Sequence, residues 1–272
     1  MEGGCPLGAR EGEMRRATKC ECTPGAKRES AKAFHFRVRD GNGWGRNALT
    51  TRRKAKRGVQ TTRMIIVVEG PSAAGKTNWC KRFFPGQTVW EAPISATVPD
   101  RNTDPLGAAE YWAEANLRRW NDALSIESET GLAICDSDPF KLHYVWSLWH
   151  TDNVSARSWE TEVEINRSMF EKKSLGLADL FLISIPPKDQ LVAQKTGDQT
   201  RTRRSFELHA KLSAPLRTWY ENIALLDTAR VEWKHPANGL SKSMIELGHR
   251  SRRTGAELFD KLIEALPVPE ST

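Results

Sequence analysis

No apolar run in the 272 residues approaches the ~18 that a membrane-crossing helix needs, and the first residues lack the apolar stretch of a secretory signal. A soluble, cytoplasmic protein without a membrane partner is the expectation. Cysteine is scarce: Cys5, Cys20, Cys22, Cys80 and Cys135 do not suggest a disulfide framework in a chain this long. Cys20-Glu21-Cys22 has the wrong spacing for a zinc knuckle, and no second Cys/His pair follows at a ligand distance. Cys80 and Cys135 fall in apolar contexts and read as reduced core residues. No internal repeat is present.

Positive charge is in excess, +7 overall, but it is unevenly placed. Residues 1–63 carry 16 Lys/Arg against 6 Asp/Glu, an excess of ten, whereas the remaining 209 carry 25 against 28. Residues 1–62 show no sustained period and hold segments such as GNGWGRN and TRRKAKRG, whose composition predicts disorder. Three readings stay open for this segment: a solvated tail, a nucleic-acid tether, or sequence upstream of a true start at Met64. The domain proper is expected over 63–272. Being slightly acidic, it carries no nucleic-acid footprint of its own, so nucleic acid is a partner only through the basic tail.

From Met64 the pattern becomes strands alternating with helices. MIIVVEG is a buried strand by its continuous β-branched run. Further strands are expected at Gln87–Trp90, Gly131–Cys135, Asp179–Ile185 and Val231–Trp233. Asp104-Pro105 places an N-cap before Pro at the first helical position and predicts a helix to about Ser125. Other helices are expected at 139–150, 156–175, 202–224 with an interruption near Pro215, and 254–266. Such alternation implies a three-layer α/β/α domain on a mainly parallel five-stranded sheet.

The first strand empties into Gly70-Pro71-Ser72-Ala73-Ala74-Gly75-Lys76-Thr77, the Gly-x-x-x-x-Gly-Lys-Thr phosphate loop. Glycines let the backbone turn so that successive N–H groups point at phosphate oxygens. Lys76 is expected on the β- and γ-phosphates and the Thr77 hydroxyl on Mg²⁺, with the positive end of the following helix behind them. An Asn-Lys-x-Asp guanine reader, a Leu-Ser-Gly-Gly-Gln signature and a helicase-type acidic box are all missing. Asp104-Pro105-Leu106-Gly107 fits a switch pattern, but its place at a helix start makes Asp104 a cap. With an arginine cluster at 201–204, the pattern favours ATP and a small-molecule kinase. The alternative is a P-loop ATPase or nucleotide-binding regulator that acts on a macromolecule through the basic tail.

Residues 64–235 resemble the P-loop nucleoside and nucleotide kinases, the deoxynucleoside kinases in particular. Four segments carry the resemblance: the phosphate loop, Val89-Trp90-Glu91-Ala92-Pro93, Asp136-Ser137-Asp138, and Arg201-Thr202-Arg203-Arg204-Ser205-Phe206-Glu207-Leu208-His209. It implies a P-loop NTPase fold with a helical arginine-rich lid, and Glu91 as base towards a sugar 5′-hydroxyl. Ser137 stands where that family has an arginine, and Ala92 separates Glu91 from Pro93.

Chemistry supports similar roles. Phosphoryl transfer needs a phosphate cradle, Mg²⁺, cationic clamps and a group that orients the hydroxyl. Glu91 and Asp136 end strands, where a parallel sheet gathers its ligand contacts. Asp136 is preferred to Asp138 for the Mg²⁺ shell, since one of the two can cap the helix near Pro139. Arg201, Arg203 and Arg204 at a helix start are misplaced for the dipole, which favours a phosphate clamp, with Thr196–Gln199 as its hinge. Lys141 and His143 either reach the acceptor or form a solvated face. Trp90, Trp112 and Trp146 lie near the expected acceptor pocket, where a planar base could stack, but helical spacing favours core for Trp112 and Trp146 over ligand contact.

Overall fold

The computed structural model describes residues 63–91, 97–197, 205–226, 230–246 and 253–269. The N-terminal segment and the arginines at 201, 203 and 204 lie outside the described residues, so neither expectation is addressed. All described residues belong to one compact unit, Arg57–Thr272.

The chain begins with β1 (Met64–Glu69), α1 (Lys76–Phe83), β2 (Thr88–Val89), α2 (Pro105–Thr130), β3 (Leu132–Asp136), α3 (Leu142–Trp149) and α4 (Ala156–Glu171). It continues with β4 (Leu180–Ile183), α5 (Lys188–Gly197), α6 (Phe206–Lys211), α7 (Ser213–Ala224), β5 (Arg230–Glu232), α8 (Lys242–Glu246) and α9 (Ala256–Glu264). The five strands lie in the order β2-β3-β1-β4-β5, and every pairing is parallel. Val68 sits opposite Asp136 on one side and Leu182 on the other, so the strand ends gather along one edge.

Alternation along β1 sends its side chains to two separate apolar layers. Ile65 and Val67, with Cys135, Phe181 and Ile183, face the larger core formed with α2, α3, α4, α7 and α9. Met64, Ile66 and Val68 face Trp79 and Cys80 of α1, with Met244 of α8 at the border. The three-layer expectation is therefore met, and Cys80 and Cys135 are buried free thiols.

Local chemistry explains most element ends. Asp104 caps α2 by accepting the Gly107 N–H at 2.9 Å, as expected, and Pro105 occupies the first turn. That helix runs five residues past its expected end because Ala123 and Glu127 are buried. The expected helix over 202–224 breaks at Leu212, not at Pro215; Pro215 lies in the first turn of α7, where a missing N–H costs nothing. α5 and α8 were not foreseen; each has at most one residue deep in the core, so neither shows a clear apolar period.

Candidate active site

β1 ends at Glu69, and the chain then turns around the start of α1. Gly70 has φ 154°, and a β-carbon there would lie 2.1 Å from the Ser184 carbonyl oxygen beyond β4, so only glycine fits. Gly75 has φ 86° and precedes α1 with no side chain capping it. Ala73, also at positive φ (74°), completes the reversal. The first turn of α1 and the loop amides thus face a cavity of about 700 Å³ that the whole segment Gly70–Thr77 lines. Lys76 Nζ folds back on the Gly70 carbonyl at 2.6 Å and lies 3.6 Å from Glu69.

Thr77 Oγ1 donates to Asp136 Oδ2 at 2.8 Å, joining the start of α1 to the end of β3. The other Asp136 oxygen is buried and has no hydrogen-bond partner among the described residues. Burial raises the pKa of Asp136, an effect that the Thr77 bond and Lys76 oppose. Asp138 points elsewhere: its oxygens accept the Phe140 N–H at 2.9 Å and the Tyr220 hydroxyl at 3.0 Å. Buried there, Asp138 is pushed up to about 6.

Glu69 is the hub of the site. One oxygen accepts the Gly70 N–H; the other accepts the Ser137 hydroxyl at 2.6 Å and the Asp138 N–H at 2.8 Å. Lys141 Nζ and His143 Nε2 lie 3.9 and 3.5 Å away. Burial alone would raise the Glu69 pKa, but Lys141, Lys76 and His143 together hold it well below the ordinary range. Lys141 also bonds Ser137 Oγ and donates to Glu91 Oε1 at 3.0 Å. Glu91 is half exposed, and Lys141 chiefly depresses it to about 2. Lys141 rises in turn: burial opposes its charge, while Glu91 and Glu69 favour it. Lys141 therefore belongs to the site and not to a solvated face.

To the same lining α2 contributes Trp112, Asn116 and Arg119 at near-helical spacing. Arg119 is buried and donates to the carbonyls of Asp136, Ser137 and Asp138 at 2.6 to 3.2 Å, holding the turn after β3. Arg101, Tyr144 and His209 also line the cavity, with Tyr144 Oη 3.4 Å from His209 Nε2. Burial lowers the pKa of His209, and Lys76 and Lys141 lower it further.

The structure thus brings Lys76, Thr77, Glu91 and Lys141 around one cavity, with buried Asp136 joined to its lining through Thr77. Two of the stacking candidates lie elsewhere. Trp146 is buried in the core against His150 and Trp219, because α3 turns that face inward. Trp90 is 40% exposed and does not line the cavity. Trp112 lines it, but the Arg101 guanidinium lies over its ring at 5.2 Å. Sequence reasoning missed Glu69, Arg101, Asn116 and Arg119. A signal existed for three of them: an acid ending an apolar strand, and polar residues at positions where α2 must be buried.

No family model matches the chain, and no curated protein matches it. Solved structures do match, among them three of deoxyadenosine kinase from M. mycoides. The one with products dCMP and dCDP has 16% identity and a TM-score of 0.42. The dATP-bound one has 13% and 0.43, and the dCTP-bound one 15% and 0.42. Each alignment covers 68% of this chain and 96% of the other.

Proposed function

We propose that this chain is an ATP-dependent kinase that transfers the γ-phosphate to a small acceptor hydroxyl, a nucleoside or nucleotide first. One observation carries the reading: a continuous chain of charge, Lys76–Glu69–Lys141–Glu91, runs from the phosphate loop to a carboxylate in the same cavity. A nucleotide cradle alone would not need Glu91; a transfer site needs an acceptor-orienting group beside the cradle.

In this mechanism the loop amides of Gly70–Thr77 and the Lys76 ammonium hold the β- and γ-phosphates. Thr77 and Asp136 offer hard oxygen donors, and the Asp136 oxygen without a partner among the described residues suits Mg²⁺, which takes one or two protein oxygens with phosphates and water. When bound, the ion would neutralise phosphate charge. Glu91 accepts the hydrogen bond of the incoming hydroxyl. A carboxylate with a pKa of about 2 is a weak base, so it orients the oxygen and takes its proton only as the P–O bond forms. Lys141 fixes Glu91, and Arg119 holds the turn carrying Asp136. Arg201, Arg203 and Arg204 are assigned to clamping the transferring phosphate.

The test is ADP release with ATP and Mg²⁺ over nucleosides, nucleoside monophosphates, and sugar or antibiotic hydroxyls. Turnover on at least one of them, retained after deletion of residues 1–62, supports the reading. Turnover on none, with stimulation by a protein or nucleic acid, overturns it.

A further inference from the structure

Two cavity-lining residues with a β-carbon adopt the left-handed backbone region: Ala73 in the phosphate loop and Ser137, at φ 75°, in the turn after β3. Such a conformation is uncommon outside glycine and persists where its surroundings over-determine it. At Ser137 it has a local use. Residues two apart on a strand share a face, so Asp138 would follow Asp136 towards the phosphate loop if β3 simply ran on. The reversal at Ser137 parts them: Asp136 accepts from Thr77, while Asp138 turns to Tyr220. Backbone contacts account for the reversal. The Ser137 N–H donates to the Val68 carbonyl at 3.0 Å, and the Ser137 carbonyl accepts from the Arg119 guanidinium at 2.6 Å. Glycine would meet these needs at φ 75° with no strain. The buried Ser137 hydroxyl is therefore surplus to the turn.

That hydroxyl stands between charges. Lys141 faces two carboxylates, Glu69 and Glu91, both ionised at neutral pH. Glu69 is buried and Glu91 half exposed, so attraction to Glu69 is the less screened of the two. Yet Lys141 Nζ lies 3.0 Å from Glu91 and 3.9 Å from Glu69, beyond hydrogen-bond range of the buried carboxylate. Ser137 Oγ fills the gap: it donates to Glu69 Oε2 at 2.6 Å and accepts from the Lys141 ammonium. We propose that Ser137 is a positioning residue for phosphoryl transfer, whose hydroxyl holds Lys141 on Glu91 and keeps it from closing on Glu69. This rests on the phosphotransfer reading above, in which Glu91 orients the acceptor hydroxyl. Without the Ser137 hydroxyl, Glu69 Oε2 has room for another donor and the ammonium moves to it. Glu91 then loses its fixed aim, whereas Lys76 keeps its bond to the Gly70 carbonyl. The effect falls on transfer and leaves ATP binding alone.

Ser137→Gly and Ser137→Ala in the full chain separate the hydroxyl from the backbone. Both lack the hydroxyl, but only glycine relieves the left-handed strain, so Ser137→Gly should melt above Ser137→Ala. Turnover is read as ADP release with ATP, Mg²⁺, the four deoxynucleosides and their monophosphates. Both variants should lose kcat equally, by roughly fivefold, with ATP affinity unchanged. In a Lys141→Met background Ser137→Gly should cost nothing further, because the hydroxyl acts through that ammonium. A crystal structure of Ser137→Gly should show Lys141 Nζ hydrogen-bonded to Glu69 and withdrawn from Glu91. Full turnover in Ser137→Gly with a loss only in Ser137→Ala would make the turn alone important and overturn the proposal. Losses that add in the Lys141→Met background, or Lys141 still on Glu91 in the variant structure, would overturn it as well. A wild-type chain that phosphorylates none of these acceptors counts against the phosphotransfer reading and removes the role in transfer; a displaced Lys141 in Ser137→Gly would still uphold the hydroxyl as the spacer.

Discussion

Two clusters of buried charge flank β1, one at each end, and they are built differently. Near the start of the strand, Asp179 accepts the Ile65 N–H at 2.7 Å, and Arg253 clamps Asp179 together with Glu127. Every carboxylate oxygen there has a donor. Beyond the end of the strand, Glu69 gathers Lys76, Lys141 and His143, yet nearby Asp136 keeps a buried oxygen without a hydrogen-bond partner among the described residues. A closed cluster holds segments together: Arg253 ties the chain before α9 to α2 and to the turn before β4. An open cluster retains hydrogen-bonding capacity for something that arrives. The difference marks the Glu69 end, which also lines the cavity, as the candidate site and the Arg253 end as a structural network.

The comparison predicts opposite phenotypes. At the open end, Lys76→Ala should cut turnover by about 10³-fold or more, the loss expected for a positioned cation on a transferring phosphate. Its melting temperature should stay near the wild-type value, because Glu69 keeps Ser137, Lys141 and His143. Turnover within tenfold of wild type would place the phosphate elsewhere.

At the closed end, Arg253→Met strands two buried carboxylates and should cost about 3–5 kcal/mol of stability, lowering the melting temperature by roughly 10 °C in a domain of this size. Activity per folded molecule should not change. A stable variant with poor turnover would reverse the assignment of the two clusters.

The two ends also differ in how far the sequence reveals them. The phosphate loop is a contiguous pattern between a β-branched strand and a helix, so each of its residues is legible locally. The parallel sheet follows from alternation, and the Asp104 cap from three adjacent positions. By contrast, Arg253 meets Glu127 across 126 positions, Lys141 meets Glu91 across 50, and Arg101 meets Glu162 across 61. Nothing local marks these pairs, because either member alone looks like an ordinary surface charge. The tryptophans are ambiguous for a related reason: helical spacing favours the core without excluding a cavity face, and Trp146 takes the core as that spacing favours.

Within the open cluster, Glu91→Gln tests whether the carboxylate orients the acceptor or merely pairs with Lys141. Turnover should fall about 10²-fold with ATP affinity preserved, since Glu91 is not part of the loop. Full activity in this variant removes Glu91 from the mechanism and ends the charge chain at Lys141.

The smallest effect, and the finest discrimination, belongs to Lys141→Met. Lys141 is the largest cause of the depression of Glu91 to about 2. A depressed carboxylate stabilises the folded chain at pH values above its ordinary range, and loses that contribution as pH falls towards 2. The wild-type kcat/KM profile should therefore show no acid limb from Glu91 between pH 7 and 4. Without Lys141 the largest attraction is gone, so the Glu91 pKa should rise from about 2 towards its ordinary value of about 4.5. An acid limb should then appear between roughly pH 6 and 4, on top of about a tenfold loss at pH 7. Lys141→Arg should keep the profile flat, because charge and not shape sets the Glu91 proton. A flat profile in Lys141→Met would mean that Lys76 suffices to hold Glu91 ionised, and Lys141 would join Arg253 as a structural cation.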